Sequence, residues 1–172
     1  MIDATLLQAA QRGDQEAFRR LVEPLGGQLY RVAFSVTGHA QDAEDARQNA
    51  LIRAWQHLPD LREPHTFRGW LTRVVLNEAK TLVKKRARTP VAAEELPEVA
   101  VESLVNSADW LMLQSFLRLL PTEQREVIVM RFWLDLSLQQ IADTVKVPLS
   151  TAKARLYRGM EALRDLLSAG MN

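Results

Sequence analysis

The fold of this chain is decided by residues 136–167, which read LSLQQIADTVKVPLSTAKARLYRGMEALRDLL. In the first part of this stretch, apolar residues recur at helical spacing, which predicts a short helix that ends near Lys146. Pro148 fixes its own backbone and disfavours a helical residue before it, so a second helix is expected to begin just after Pro148. Two helices joined by such a short turn are typical of a helix-turn-helix.

The second helix of this pair has one apolar face and one cationic face. Its apolar stripe is predicted to comprise Ala152, Leu156, Met160, Leu163 and Leu167. Its polar face is predicted to point to solvent and to contact DNA through Ser150, Thr151, Lys153, Arg155 and Arg158. An exposed cationic helix of this kind suits the major groove of duplex DNA. The stretch alone leaves open an ordinary αα-hairpin with a solvated charged face.

Charge is segregated along the 172 residues, although the net charge is only +1. Residues 61–90 carry 8 Lys and Arg against 2 Asp and Glu, and residues 91–135 carry 3 against 8. Residues 136–172 are again basic, with 5 against 3. Two basic zones separated by an acidic one suit a protein that contacts a polyanion at two places. For either zone alone, a solvated charged surface is the alternative.

Composition argues against several classes of protein. The chain has no cysteine, and its three histidines, His39, His57 and His65, lack the spacing of metal ligands. No apolar run approaches the roughly 20 residues of a membrane span, and the first residues lack the pattern of a signal peptide. Phosphate-binding glycine loops and hydrolase motifs are missing from the sequence. We therefore expect a cytoplasmic protein that is not an enzyme, with no cofactor, no metal, no membrane insertion and no small-molecule substrate.

Helical patterns extend through the rest of the chain. Asp3 and Asp14 are predicted to cap two short helices, and Gly38 is predicted to end a third. A longer helix is expected from about residue 41 to 57, with its alanines inward, and another from Phe67 into a basic run. Near Ser107 a second helical block begins, in which Thr122 is expected to cap the next helix.

Between these blocks the sequence PVAAEELPEVAVES has no apolar period and is predicted to be a linker. No alternating pattern typical of a strand occurs in the sequence. The predicted fold class is therefore all-α, with two small helical domains joined by a flexible linker. Their predicted bounds are residues 1–88 for the first domain, 89–106 for the linker and 107–172 for the second.

With these motifs in order, the chain resembles an extracytoplasmic-function (ECF) sigma factor, a member of group IV of the sigma-70 family of bacterial RNA polymerase subunits. The resemblance spans nearly the whole chain. It is carried by the helix-turn-helix and by LLQAAQRGDQEAFRRLV (6–22), DAEDARQNALIRAW (42–55), HTFRGWLTRVVLNEAK (65–80) and LPTEQREVIVMRF (120–132). It implies that the first domain is like sigma region 2 and the second like sigma region 4.

The resemblance also implies that the helix containing DAED docks onto a coiled coil of the largest polymerase subunit. The implied polymerase-binding residues are Asp42, Glu44, Asp45, Gln48, Leu51, Ile52 and Trp55. Helix capping is an alternative role for the carboxylates, and inward packing is one for Trp55. Docking is favoured because Ile52 and Trp55 fall off the alanine stripe of this helix, and exposed apolar residues with a polar rim suggest a partner surface.

Promoter recognition is the second implied role. In the family, the loop and helix that correspond to residues 58–77 read and open the −10 element, with one base flipped into a pocket. The implied contacts to the −10 region are His65, Arg68, Arg73, Asn77, Lys80, Lys84 and Lys85. Phe67 and Trp70 are expected in the core instead. The second helix of the helix-turn-helix would read the −35 element through the polar residues given above.

The implied partners are bacterial core RNA polymerase, promoter DNA and an anti-sigma factor. The promoter would be duplex at −35 and single-stranded at −10. A stand-alone helix-turn-helix regulator is the alternative function, although it would need neither the DAED segment nor a basic first domain. The chain departs from the usual family pattern at Arg47, Asn49, Leu76, Thr81, Lys146 and Ala152.

Overall fold

A computed structural model of the chain describes residues 3–88 and 108–170, and the secondary structure in these two ranges consists only of helices. The predicted all-α class is confirmed. The predicted linker, residues 89–106, lies outside the described residues. The α-helices are α1 Ala4–Gln11, α2 Gln15–Val22, α3 Gly26–Thr37, α4 Ala40–His57, α5 Phe67–Arg88, α6 Ala108–Leu119, α7 Thr122–Trp133, α8 Leu138–Val145 and α9 Leu149–Gly170. Short 3₁₀ turns lie at Glu23–Leu25, Leu58–Asp60 and Pro64–Thr66.

Helices α3, α4 and α5 pack against one another and form the centre of the first domain. The alanines at 43, 46, 50 and 54 give α4 a fully buried face of small side chains. Small side chains let the α4 backbone approach its neighbours closely, and Phe67 and Leu71 of α5 fill the core beside it. The predicted inward alanine face and the core position of Phe67 are therefore confirmed.

The predicted ends of the first helices are also confirmed. Asp3 accepts hydrogen bonds from the backbone N–H groups of Thr5 and Leu6, and Asp14 accepts one from Ala17. These bonds satisfy donors that have no partner within a helix. Gly38 ends α3 in the left-handed conformation, with φ of 71°, which a residue without Cβ adopts without strain.

In the second domain, α9 packs against α7 and α8. Two sequence predictions are wrong here. Met160 is 42% exposed rather than part of the apolar stripe, because Gly159 occupies the buried position against Ile128 of α7. Thr122 is the first residue of α7 rather than its cap, and Pro121 precedes it without a side-chain hydrogen bond. Ala152 and Leu156 are buried as predicted.

The two sets of helices pack together, with α3 against α7 and α5 against α8. The exact domain bounds stay a prediction. Across residues 3–88 and 108–170, none of the helices is both long enough and apolar enough to cross a membrane.

Candidate nucleic-acid and protein interfaces

The helix-turn-helix is held by hydrogen bonds at both ends of α8. Ser137 accepts a bond from the backbone of Gln140 at 3.2 Å, and the Gln140 side chain accepts one from the Ser137 backbone at 2.8 Å. This reciprocal capping box sets the start of α8. At the other end, Lys146 takes the left-handed conformation with φ of 56°, and α9 begins at Leu149. Both predicted helix boundaries are confirmed.

The polar residues predicted on α9 lie on one side of that helix, but they are not equally free. Ser150, Lys153 and Arg158 are exposed, whereas Thr151 is half-buried. Arg155 is tied to Glu123 of α7 at 2.9 Å. Four of the five predicted residues line one open hollow between α7 and α9: Ser150, Thr151, Arg155 and Arg158. The hollow combines hydroxyl and guanidinium donors, which suit phosphate oxygens and base edges.

The first two turns of α4 present a network of carboxylates, amides and one arginine. Arg47 donates hydrogen bonds to both carboxylate oxygens of Glu44, and Gln48 donates another at 2.9 Å. The Arg47 hydrogen bond lowers the pKa of Glu44, against the opposite effect of burial. Gln41 donates to Asp45 at 3.0 Å. Because these partners lie on α4 itself, the carboxylates stay on its surface.

Further along α4, the apolar residues predicted to dock the polymerase separate into three environments. Ile52 is 58% exposed, and Leu51 is half-buried. The Trp55 ring lies 5.2 Å from the Phe18 ring, so Trp55 packs partly inward. Both roles considered for Trp55 therefore remain compatible with its position. Asp42, the first carboxylate of this set, pairs with Arg86 of α5 at 2.9 Å.

The segment between α4 and α5 forms an open hollow of about 500 Å³. It is lined by His57, Asp60, Leu61, Arg62, Glu63, Thr66 and Trp70. Trp70 is half-buried and packs on the core, which confirms its predicted core position while leaving part of its ring accessible. His65 is exposed beside Glu63 at 3.3 Å. This hollow lies inside the segment that the resemblance assigns to the −10 element.

Along α5, the predicted DNA-contacting residues do not form a single free surface. Asn77, Lys84 and Lys85 are exposed. Arg68 donates to Gln28 of α3 at 3.0 Å. Arg73 and Lys80 instead reach the second domain, where Arg73 donates to the Thr144 backbone oxygen at 2.7 Å and Lys80 pairs with Glu126 at 3.0 Å.

Sequence reasoning missed Glu123 and Glu126 of α7, the acidic partners of two predicted DNA-contacting cations. The acidic zone at residues 91–135 was the available signal, since two of its carboxylates are these residues. Net charge by segment cannot say which cation each carboxylate meets. The pairing depends on how α7 lies against α5 and α9.

Comparison with known proteins identifies the family. Residues 21–89 match the model of sigma-70 region 2, and residues 110–163 match that of sigma-70 region 4. The ECF RNA polymerase sigma factor SigW of Bacillus subtilis is 31% identical over 94% of this chain and 94% of its own length. The chain belongs to the ECF sigma factors of the sigma-70 family. Proteins of this family are transcription initiation factors, so the family resemblance predicted from the motifs is confirmed.

Two solved structures have the same architecture as this chain. CnrH, in complex with the cytosolic domain of CnrY, superposes with a TM-score of 0.77 and 28% identity, covering 98% of this chain and 99% of that one. The sigma factor RpoE of Bartonella quintana, in complex with the anti-sigma factor NepR, superposes with a TM-score of 0.76 and 23% identity. That match covers 89% of this chain and 98% of RpoE, and it supports the fold alone.

Proposed function

We propose that this ECF sigma factor brings bacterial core RNA polymerase to a class of promoters and helps to open them. Residues 1–88 would dock the polymerase and contact the −10 element, and residues 107–172 would contact the −35 element. The observation that carries the proposal is that one chain presents two exposed surfaces of different chemistry. One is the exposed Ile52 on the polar helix α4, and the other is the cationic face of α9.

The α4 surface supports docking because an exposed branched apolar side chain among polar neighbours is typical of a protein contact. Ile52 is such a residue, and the carboxylates of Asp45 and Glu44 lie on earlier turns of the same helix. A regulator that binds duplex DNA alone has no use for this surface. The α4 surface therefore favours the sigma factor over the stand-alone regulator.

Promoter opening would draw on binding energy rather than on chemistry performed by this chain. Extruding a base costs a few kcal/mol, which contacts to the exposed strand must offset. The hollow beside Trp70, together with the exposed His65 and Lys84, would supply such contacts. Phosphodiester formation would belong to the polymerase. The protein would therefore act in the cytoplasm as a non-enzymatic subunit, without a cofactor or a small-molecule substrate of its own.

An anti-sigma factor is the third proposed partner. CnrH, which is 28% identical to this chain, has been solved in complex with the cytosolic domain of another protein, CnrY. Because CnrH matches both helical domains of the present chain, its complex supports a protein partner for this sigma factor as well. The partner itself is to be sought by co-purification from the source cells.

The proposal is tested by run-off transcription with purified bacterial core polymerase on DNA from upstream of the gene. Discrete start sites that require the protein are expected. Ile52→Glu should reduce these transcripts at least about tenfold, because a charge is then placed in the apolar contact. Gln56→Glu is the matched control, since it adds the same charge at an exposed position of the same helix. It should leave transcription within about twofold of the original.

Binding of duplex DNA by the free protein shows whether a loss of transcription results from lost docking or from misfolding. Ile52→Glu should bind the upstream duplex as the original protein does, because the α9 surface is untouched. Duplex binding without any transcript from the original protein would favour the stand-alone regulator instead. Equal transcription by Ile52→Glu and the original would remove Ile52 from the docking surface.

A further inference from the structure

The outer side of α4 is a narrow strip that lies opposite the buried alanine face of this helix. Positions 41, 45, 48 and 52 follow one another at helical spacing, which places them on one side of α4. Gln41, Gln48 and Ile52 are exposed there, and Asp45 is half-buried. These four residues are called the α4 strip below. The strip therefore offers two amides, one branched apolar side chain and a single carboxylate.

Glu44 belongs instead to the flank of α4 that faces α3. Arg47 donates hydrogen bonds to both of its carboxylate oxygens, and the side chains of Glu44 and Arg47 are only 24% and 26% exposed. A Cβ built on Gly26, the first residue of α3, would lie 3.9 Å from Nη1 of Arg47. Burial raises the pKa of Tyr30 on α3, and the nearby charge of Glu44 adds to this effect. The pair therefore lies against α3, and the charge of Glu44 is already compensated.

The opposite flank of α4, which faces α5, is compensated in the same way. Asp42 pairs with Arg86 at 2.9 Å, and Arg53 pairs with Glu78 at 2.9 Å. Both partners lie on α5. Within the described part of the chain, Asp45 forms no ion pair. Of the three carboxylates predicted to dock the polymerase, Asp45 is thus the one whose charge no cation of the described residues compensates.

A compensated carboxylate and an uncompensated one contribute differently to a protein contact. The bidentate hydrogen bonds of a guanidinium neutralise most of the field of a carboxylate, so a docking partner meets little net charge at Glu44. Asp45 keeps a net charge that attracts a cation on the partner. The α4 surface therefore offers one ionic contact rather than three.

We propose that Arg47 is an internal counter-ion that withholds Glu44 from the polymerase. Docking then uses Asp45, Ile52 and the two amides of the α4 strip. The inference rests on the proposed function, because it takes α4 to be the helix that docks the polymerase. The polymerase surface that fits the strip is apolar and hydrogen-bonding, with one cation opposite Asp45. Docking is consequently weaker at low salt than three uncompensated carboxylates would make it, and it is less sensitive to salt.

The test measures the affinity of the protein for bacterial core polymerase in the absence of DNA, by surface plasmon resonance at about 50 mM and about 500 mM salt. Arg47→Met frees the Glu44 carboxylate and keeps an unbranched, helix-forming side chain. At the lower salt this variant should bind at least about threefold more tightly than the original protein, because a second carboxylate then attracts the partner's cation. At the higher salt the gain should fall below about 1.5-fold, because ions screen the added charge.

Two controls assign this gain to Glu44. Arg12→Met removes a positive charge from an exposed position at the end of α1 and should change the affinity less than about 1.5-fold at both salt concentrations. In a Glu44→Gln background, Arg47→Met should no longer strengthen binding, because no carboxylate is left to free. Unchanged or weaker binding by Arg47→Met at low salt would overturn the proposal, and so would a gain that persists in the Glu44→Gln background.

Asp45→Asn tests the other half of the inference and leaves the Arg47–Glu44 pair in place. At about 50 mM salt it should weaken binding of core polymerase at least about threefold, and at about 500 mM less than about 1.5-fold. Ile52→Glu should weaken binding at both concentrations, because salt does not screen the loss of an apolar contact. An Asp45→Asn affinity equal to that of the original at low salt would contradict the proposal.

The original protein keeps failure of this inference distinct from failure of the proposed function. If it does not bind core polymerase at either salt concentration, the proposed function is wrong. If it binds, and the affinity of Arg47→Met or Asp45→Asn departs from the expected dependence on salt, the proposed function stands and the role assigned to Arg47 is wrong. Far-ultraviolet circular dichroism of each variant shows that its helices are intact, so a change in affinity is not a change in folding.

Discussion

Two cationic residues of α9 and two of α5 share the same sequence signals but lie in opposite surroundings. On α9, Lys153 and Arg158 are exposed. On α5, Arg73 and Lys80 are engaged by the second domain. The difference teaches that the availability of a cation for DNA is set by its tertiary partners, which composition and helical spacing do not report.

The same difference separates the two steps of promoter recognition. Under the proposed function, the exposed residues of α9 would meet duplex DNA without rearrangement. Arg73 and Lys80 would first have to leave the Thr144 carbonyl and the Glu126 carboxylate, which lowers their apparent affinity for DNA. We therefore expect the free protein to bind duplex −35 DNA more readily than −10 DNA.

The largest effect is expected from substituting one arginine of α9 and, for comparison, one arginine of α5. In the free protein, Arg158→Ala should lower duplex affinity about tenfold and reduce the slope of affinity against salt by about one counterion. Arg73→Ala should change duplex affinity less than about twofold, because the Thr144 carbonyl already occupies that guanidinium. Fluorescence anisotropy with upstream duplex DNA at several salt concentrations measures both.

The control for this pair is Arg164→Ala. Arg164 is an exposed arginine near the far end of the same helix, so its removal corrects for the general loss of one positive charge. It should weaken duplex binding less than Arg158→Ala does. Equal losses for Arg158→Ala and Arg73→Ala would erase the distinction between the two surfaces, and an unchanged salt slope would reject a phosphate contact for Arg158.

The sequence predicted the parts of this molecule that depend on local chemistry. Gly38, Asp14 and the turn before Pro148 specify helix ends by conformational and hydrogen-bonding preferences that act within a few residues. The alanine face of α4 was equally readable, because helical spacing places its members together. The domain bounds and the roles of the individual site residues remain predictions.

The residues for which the sequence prediction was wrong or incomplete are those whose surroundings depend on how two helices cross. Met160 fits the apolar spacing of α9, but Gly159 is the residue that faces Ile128, where the two helices approach most closely. In the sequence, Glu126 is one of several charges in an acidic zone. Its partner, Lys80, is evident only from the packing of α7 beside α5. Such contacts join residues far apart in sequence, and no periodic pattern marks them.

An effect of intermediate size is expected at the contact between α9 and α7. A Cβ on Gly159 would lie 2.8 Å from Cδ1 of Ile128 and 3.1 Å from Cβ of Gln124. Gly159→Val adds two further methyl groups there and should lower the free energy of unfolding by about 2 kcal/mol. Duplex binding should weaken with it, whereas the α5 surface should be unaffected, which makes the comparison between the surfaces sharper.

Chemical denaturation followed by circular dichroism measures this change. Gly27→Ala serves as the control, because Gly27 lies in α3 and a Cβ added there would have no neighbouring atom within 4 Å. It should raise stability by about 0.5 kcal/mol through helix propensity. If Gly159→Val were as stable as the original protein, α7 and α9 could move apart at this position without lowering the free energy of unfolding.

The smallest effect concerns an ion pair contained within one helix, in contrast to the pair that joins the two domains. The Arg47 hydrogen bond lowers the pKa of Glu44 below its ordinary value of 4.5. Because the folded-state pKa is lowered, the pair stabilises the fold fully above that ordinary value and loses its contribution as pH falls through the lowered pKa. Arg47→Met should raise the pKa of Glu44 and reduce stability at neutral pH.

The stability curves of Arg47→Met and the original should therefore converge at acidic pH, below the lowered pKa. NMR titration of the Glu44 carboxyl carbon reports the shift directly, and Arg62→Met, at an exposed loop position, controls for the loss of a positive charge. A Glu44 pKa that does not rise in Arg47→Met would mean that Gln48, the other donor to this carboxylate, holds the charge by itself. Because Glu44 and Arg47 are both on α4, this titration depends on a single helix, whereas the Lys80–Glu126 pair depends on how α5 and α7 pack together.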